Sequence, residues 1–246
     1  MPEMTLTGER TLPGIAHENY WFRRHEVVYR WASDLLCSEP HPALRILDAG
    51  SGEGYGADLL RRRTAAHVTA LDYDEQAATH LRRRYADIDV VRGNLVQLPF
   101  GDNAFDAVVS LQTVEHLWDQ NAFVADCLRV TRPGGLILLS TPNHLTFPAG
   151  NICHHRELTA PELTALLSTP HAAEPLVVGL DHGVRIREWE HRGGDLVTAQ
   201  LASAPQDWDH ALSDFVASVT VDDFVLGGTD LEATLDLLAV LRVRAR

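Results

Sequence analysis

The first half of the chain alternates between short unbroken apolar runs and longer segments whose apolar positions recur every three or four residues. Residues 43–47 open the series as a buried strand, 67–71 repeat it, and 88–91, 105–110 and 136–140 complete five runs of strand length. Helical spacing separates them, from the glycine turn to about residue 63, then over 75–85 and 122–130. Strand and helix alternating five times predict a parallel sheet covered on both faces. Upstream, residues 18–36 read as an amphipathic helix that buries Val27, Val28, Trp31 and Leu35 along one side. Beyond Gly150 the pattern changes. Thr159 and Glu162 stand at capping-box spacing and start a helix. Residues 176–179 read as a sixth strand, and 184–218 as a less apolar helical cap. Residues 235–243 are apolar and read as a closing strand, with helix as the alternative for 230–238.

The junction after the first run carries the strongest local signal. Leu47-Asp48-Ala49-Gly50-Ser51-Gly52-Glu53-Gly54-Tyr55-Gly56 is a strand end, a glycine-rich turn and a helix start, the opening of a nucleotide-binding α/β unit. The glycines fall in G-x-G-x-G spacing. The dinucleotide pattern G-x-G-x-x-G/A is met only from Gly52, with Ala57 as its last member, which sets the turn late relative to the strand. Asp48, just before the turn, suits a cation such as an ammonium better than a pyrophosphate. Asp72 ends the second strand, where a carboxylate can accept both hydroxyls of a ribose. Asp74 supplies the helix N-cap that would otherwise explain such an acid. Tyr73 is placed to stack on a base, and Asn94 to hydrogen-bond an adenine edge. Residues 111–118 and 141–144 follow the fourth and fifth strands, at the sheet end where open α/β folds bind ligands.

Composition narrows the partners. The chain has 246 residues, enough for one domain of this kind, and a formal net charge of −13. That acidic balance disfavours nucleic acid and anionic membrane surfaces. No apolar run approaches the ~18 residues of a membrane span. Cys37, Cys127 and Cys153 lack C-x-x-C spacing and read as reduced thiols of a cytoplasmic protein.

The ordered set of motifs resembles the class I S-adenosylmethionine-dependent methyltransferases, specifically the type 11 group. Residues 47–54 carry it first, then Leu71-Asp72, Gly93-Asn94-Leu95 with Leu98-Pro99-Phe100, and Phe105-Asp106 with Glu115-His116-Leu117. Arg132-Pro133-Gly134-Gly135 and Ser140-Thr141-Pro142-Asn143 complete the series. The resemblance implies a Rossmann-like α/β fold. Its sheet has seven strands, mostly parallel with the last antiparallel, helices on both faces and a helical cap insertion near the C-terminus. It implies one domain, with an N-terminal lid helix in residues 1–40, a cofactor-binding core in 41–150, and the substrate side, cap and closing strands in 151–246. By position, Asp48, Gly50, Ser51 and Gly52 line the methionine part of the cofactor, and Leu111 offers its carbonyl to the ammonium. Asp72 holds the ribose, and Tyr73, Asn94 and Leu95 surround the adenine. The family more often has Asp at position 94. The N-terminal helix itself reads in two ways: as an amphipathic helix stapled onto the sheet by its aromatics, or as a lid that brings Tyr20 and Arg24 to the cofactor, with Arg23 or Arg24 pairing a carboxylate.

A narrower likeness bears on the acceptor. Thr7-Gly8-Glu9-Arg10, residues 18–25, the 53–58 turn and Glu115-His116-Leu117-Trp118-Asp119 resemble actinobacterial sugar methyltransferases. Those enzymes act in synthesis of methylglucose lipopolysaccharide and methylmannose polysaccharide. The implied activity is O-methylation of a sugar or oligosaccharide hydroxyl, a poor acid that needs a base. His144 is the first candidate for that base, with His116 and Glu115 beside it, and His154 and His155 are expected to contact the acceptor. Some related O-methyltransferases hold a divalent metal through Glu-x-x-Glu-His. Gln112, Glu115 and His116 occupy that pattern and suggest Mg²⁺. The competing readings are methylation of another small metabolite, such as a glycosylated natural product or phenol, and a silent cofactor-binding module. A flat cap face would allow a homodimer.

Overall fold

The computed structural model describes residues 11–38 and 43–244. The Thr7-Gly8-Glu9-Arg10 part of the narrower likeness lies outside them. After a short 3-10 turn, helix α1 (Asn19–Cys37) leads into β1 (Arg45–Ala49), α2 (Tyr55–Thr64), β2 (His67–Asp72), α3 (Glu75–Arg84) and β3 (Asp89–Arg92). The second half of the alternation is β4 (Phe105–Leu111), α4 (Gln120–Val130), β5 (Thr131–Pro142) and α5 (Ala160–Leu167). The remainder is β6 (Leu176–His182), α6 (Val184–Gly193), α7 (Leu196–Leu201), α8 (His210–Ser218), β7 (Phe224–Gly228) and β8 (Asp236–Arg242).

Among the described residues the strands form one sheet in the order β3-β2-β1-β4-β5-β8-β6-β7. Strands β1 to β5 are mutually parallel. The closing strand β8 is antiparallel, as expected, but it lies inside the sheet between β5 and β6. The sheet has eight strands rather than seven, because β7 adds an antiparallel edge beside β6. Its sequence, Phe-Val-Leu-Gly-Gly, alternates with half-exposed positions and ends in glycines, so it carries little of the apolar run that marks a central strand. The run 230–238 resolves into a turn followed by β8, not a helix. The predicted turn at 132–135 is absorbed into β5, whose pairing with β4 shifts register between Phe105 and Ala107.

The core has two parts, one on each face. One gathers Val28 of α1, Leu60 of α2 and Leu81 of α3 with Leu196 and Val216 of the cap. The other packs Phe123 and Cys127 of α4 against Leu163 and Leu167 of α5. Every residue of β4 is buried, as a central strand covered on both faces requires. At its amino end the Asp106 carboxylate accepts from the Arg45 backbone N–H at 2.7 Å and pairs with Arg132. The Phe105-Asp106 motif therefore fixes the bottom of the sheet. At the other end, β1 stands between β2 and β4, so the chain leaves β1 and β4 on opposite sides of a crevice, the ligand site of open α/β sheets.

Candidate active site

The crevice is built from the backbone first. The amides of Gly50 and Ser51 donate to the Leu71 carbonyl at 2.8 and 3.0 Å, which folds the glycine turn across the end of β2. Gly50 has φ +88°, and a Cβ there would overlap the Thr113 side chain. Gly56 is required for a second reason: a Cβ would run into the Tyr29 ring, which crosses α2 to reach Asp48. Asp72 closes the far side. Its Oδ2 accepts from the Gly52 N–H and its Oδ1 from the Asp74 N–H, both at 2.8 Å. The α3 N-cap is Asp74, whose side chain accepts from Gln76 N–H. Asp72 is thus held as a preset acceptor, not used as the cap.

Asp48 is fully buried, and the Tyr29 hydroxyl donates to its Oδ1 at 3.2 Å. Burial pushes its carboxyl up from 3.8 to about 7; the Tyr29 hydrogen bond opposes the rise and the Asp72 charge adds to it. Ser51 is 5 % exposed, and its hydroxyl oxygen has no hydrogen-bond partner. With Gly50, Gly52 and Leu111 it lines a narrow pocket of about 60 Å³. A buried hydroxyl with no partner among the described residues, on the wall of that pocket, fits the polar amino-acid end of a cationic cofactor; Asp48 itself does not line the pocket. Tyr73, next after Asp72, is 69 % exposed and lines neither pocket. Leu95 is buried, while Asn94 is exposed and its side-chain oxygen accepts from Val96 N–H at 3.1 Å.

This pocket meets a cavity of about 570 Å³, and Thr11, His25 and Gln112 line both. Trp21, Phe147 and Trp208 give the larger cavity aromatic walls, and His17, Arg24, Glu115, His116 and His154 give it polar ones. Sequence reasoning missed His25 at the junction and the Trp208 wall. His25 lay inside a recognised segment without any spacing signal, and Trp208 sits in the cap far along the chain. His25 Nδ1 lies 3.1 Å from the Tyr55 hydroxyl.

Several expected residues sit elsewhere. The Tyr20 side chain is in the core, its hydroxyl 2.7 Å from His182 Nε2, and lines neither pocket. Arg24 lines the cavity, but its carboxylate partner is Asp236 of β8, met by Nε at 2.7 Å and Nη2 at 2.6 Å. Arg23 pairs with Glu26. These contacts form because the apolar face of α1 packs directly onto the sheet and carries its polar residues inward with it. His144 is exposed, does not line the cavity, and has Nδ1 3.6 Å from Glu157. His155 is exposed and also lies off the cavity. Gln112, held at φ +51°, turns its Nε2 to donate to Ser140 Oγ at 3.2 Å. Glu115 and His116 remain at the cavity, joined by His154. Glu115 is 1 % exposed and accepts from the Thr141 hydroxyl at 3.1 Å. Burial pushes its carboxyl up to about 8, against opposing contributions from its own backbone amide, His154 and Thr141.

A parallel sheet with a glycine turn at its switch point and a buried acid at the end of each of its first two strands is the arrangement expected of the S-adenosylmethionine-dependent methyltransferases. Comparison with known proteins gives the same class. The family model described as "Methyltransferase domain" matches residues 47–139. A protein of Mycolicibacterium smegmatis named as a probable S-adenosylmethionine-dependent methyltransferase is 46% identical over 248 residues, covering 96% of this chain and 94% of that one. One of Mycobacterium tuberculosis with the same description is 45% identical over 249 residues, covering 96% and 89%. Among solved structures, YcgJ of Bacillus subtilis shares the fold at TM-score 0.60 and 16% identity, covering 90% of this chain and all (100%) of that one. Phosphoethanolamine N-methyltransferase 2 of Haemonchus contortus, solved with S-adenosyl-L-methionine, does so at TM-score 0.58 and 15% identity, covering 92% and 53%. The chain belongs to the S-adenosylmethionine-dependent methyltransferases. No helix among the described residues is long and apolar enough to cross a membrane.

Proposed function

We propose that the chain is an O-methyltransferase that moves the methyl group of S-adenosylmethionine to a hydroxyl of a sugar or oligosaccharide, as a step in polymethylated polysaccharide synthesis. The observation that carries this reading is the large cavity joined to the cofactor pocket. Its Trp21, Phe147 and Trp208 walls offer flat apolar faces to the C–H side of a sugar ring. Its histidines, Glu115 and Gln112 offer hydrogen bonds to hydroxyls. Asp48, Gly50, Ser51, Gly52 and Leu111 are assigned to the methionine end, Asp72 to the ribose, and Tyr73, Asn94 and Leu95 to the adenine.

The reaction needs alignment and removal of one proton. The acceptor oxygen attacks the methyl carbon, a C–O bond forms, and the C–S bond breaks with its electron pair left on sulfur. Juxtaposition at the mouth of the cofactor pocket supplies the approach. Activation of the hydroxyl is assigned to the corner where Glu115 and His116 face the cavity. A divalent ion held at that corner would polarise the hydroxyl.

The test is transfer of labelled methyl from S-adenosylmethionine to methylated and unmethylated gluco- and manno-oligosaccharides. Label in one sugar series supports the reading. Cofactor binding with label only in phenols or other non-sugar acceptors overturns it. In the same assay His116→Ala is expected to lower kcat by about 10²–10⁴-fold, and His144→Ala to leave it near wild type. The reverse order would restore His144 as the base.

Asp48 gives a pH prediction. In the free protein its carboxyl, raised to about 7, binds a proton that the unfolded chain releases at 3.8, so stability falls as pH climbs between those values. The cofactor's ammonium favours the ionised carboxylate, so binding expels that proton below pH 7. Between pH 6 and 7.5 the cofactor Kd should therefore fall with rising pH, by up to about tenfold per unit. Asp48→Asn should flatten the dependence in isothermal calorimetry. A Kd that rises with pH in the wild type would contradict the assignment.

A further inference from the structure

We infer that Glu115, His116 and His154 form a binding site for a divalent transition-metal ion that opens onto the acceptor cavity. One ligand atom from each of the three lies within 4.8 Å of the other two, and all three residues line that cavity. Two separate segments meet here because the amides of His155 and Arg156 donate to the Glu115 carbonyl at 2.8 and 3.0 Å. Those bonds carry the neighbouring His154 ring onto His116, with centroids 4.9 Å apart and planes at 75°.

The surroundings of the rings are those of metal ligands. His116 Nδ1 lies 3.0 Å from the Cys153 carbonyl oxygen, and His154 Nδ1 lies 2.7 Å from Glu157 Oε1. A carbonyl and a carboxylate only accept, so each Nδ1 carries its hydrogen, and in the neutral ring the lone pair is then on Nε2. An imidazole whose second nitrogen donates to a carbonyl or carboxylate is the usual outer arrangement of a metal-bound histidine. Glu115 completes the set: Thr141 engages Oε2, while Oε1 lies on the His116 side, 3.9 Å from Nε2. Side-chain shifts on the order of an ångström would bring the three donors to bonds of ~2.0–2.2 Å.

Two imidazoles and one carboxylate select Zn²⁺, Mn²⁺, Co²⁺ or Ni²⁺ over Mg²⁺, which prefers oxygen donors. The inference therefore replaces Gln112 by His154 and changes the class of ion. Three protein ligands leave a coordination position toward the cavity. Its catalytic role rests on the methyl-transfer reading of that cavity. An acceptor hydroxyl entering there is acidified and yields its proton to cavity water, and its oxygen takes the methyl as the C–S pair remains on sulfur.

The test uses the full chain, stripped with chelator, and no acceptor. Calorimetry should show one Zn²⁺ or Mn²⁺ per chain, bound at least tenfold tighter than Mg²⁺. Co²⁺ should give a visible absorption spectrum of a mixed nitrogen and oxygen site. His154→Gln and His116→Gln should each weaken binding at least tenfold and alter that spectrum, while keeping the wild-type Tm and S-adenosylhomocysteine affinity. His155→Gln and Gln112→Ala should leave the metal affinity unchanged. Absence of stoichiometric uptake, or uptake indifferent to His154→Gln, overturns the inference. Since metal is read without an acceptor, a failed sugar assay and a failed metal titration are distinguishable results.

Discussion

Replacing Asp236 with alanine is expected to lower the unfolding free energy by about 3–5 kcal/mol, the usual cost of leaving half of a buried ion pair alone. Asp236 is fully buried on β8, and the Arg24 side chain opposite it is 3 % exposed. Two of the guanidinium nitrogens bond to the carboxylate, and Nη2 also donates to the Leu235 carbonyl at 3.2 Å. Nη1 has no partner, so the arginine already carries an unmet donor. Without Asp236 a full positive charge would stay buried, faced by neutral groups: the Leu235 carbonyl, the Tyr20 hydroxyl and the Trp21 ring. In a domain of this size each kcal/mol moves Tm by roughly 2–4 °C, so a fall on the order of 10 °C is expected. Differential scanning calorimetry measures it directly. Arg24→Met with Asp236→Leu removes both charges and should recover most of the loss. A single variant that melts with the wild type would show that the pair is not the clamp between α1 and the sheet.

Asp72→Ala is expected to weaken cofactor binding by about 100-fold or more. Hydrogen bonds from two ribose hydroxyls to a carboxylate contribute about 1.5–3 kcal/mol each, and ~1.4 kcal/mol is tenfold in Kd. The Gly52 and Asp74 amides fix both oxygens of the side chain, which supports that expectation. The loss combines the ribose bonds with a looser glycine turn, and the two are separable. Calorimetry with S-adenosylhomocysteine and its 2′-deoxy analogue should show the wild type discriminating and the variant not. If the variant discriminates as the wild type does, Asp72 serves the turn alone and the ribose is held elsewhere.

Much of this molecule is legible in one dimension. The five apolar runs and the glycines at 50, 52 and 54 are local signals, because burial on both sheet faces and a tight turn each impose their own residue types. The acid at the end of β2, the Asp74 cap and the Thr159–Glu162 capping box are read the same way, since each involves neighbours in the chain. Strand β7 escaped because an edge strand buries one side only and leaves a weak pattern.

The sequence by itself determined the class of fold, the place of the glycine turn and the acids that flank it, all consequences of short-range periodicity and turn chemistry. Tertiary structure alone decided which distant side chains meet. Arg24 finds Asp236 across 212 positions, where the sequence had offered it to the cofactor. His154 reaches His116 because backbone bonds from the 155–156 segment seat it on Glu115, while His144, nearer in sequence, is carried outside the cavity. Histidine has no periodic signature, and its role is set by the cavity and partners that long-range packing brings to it.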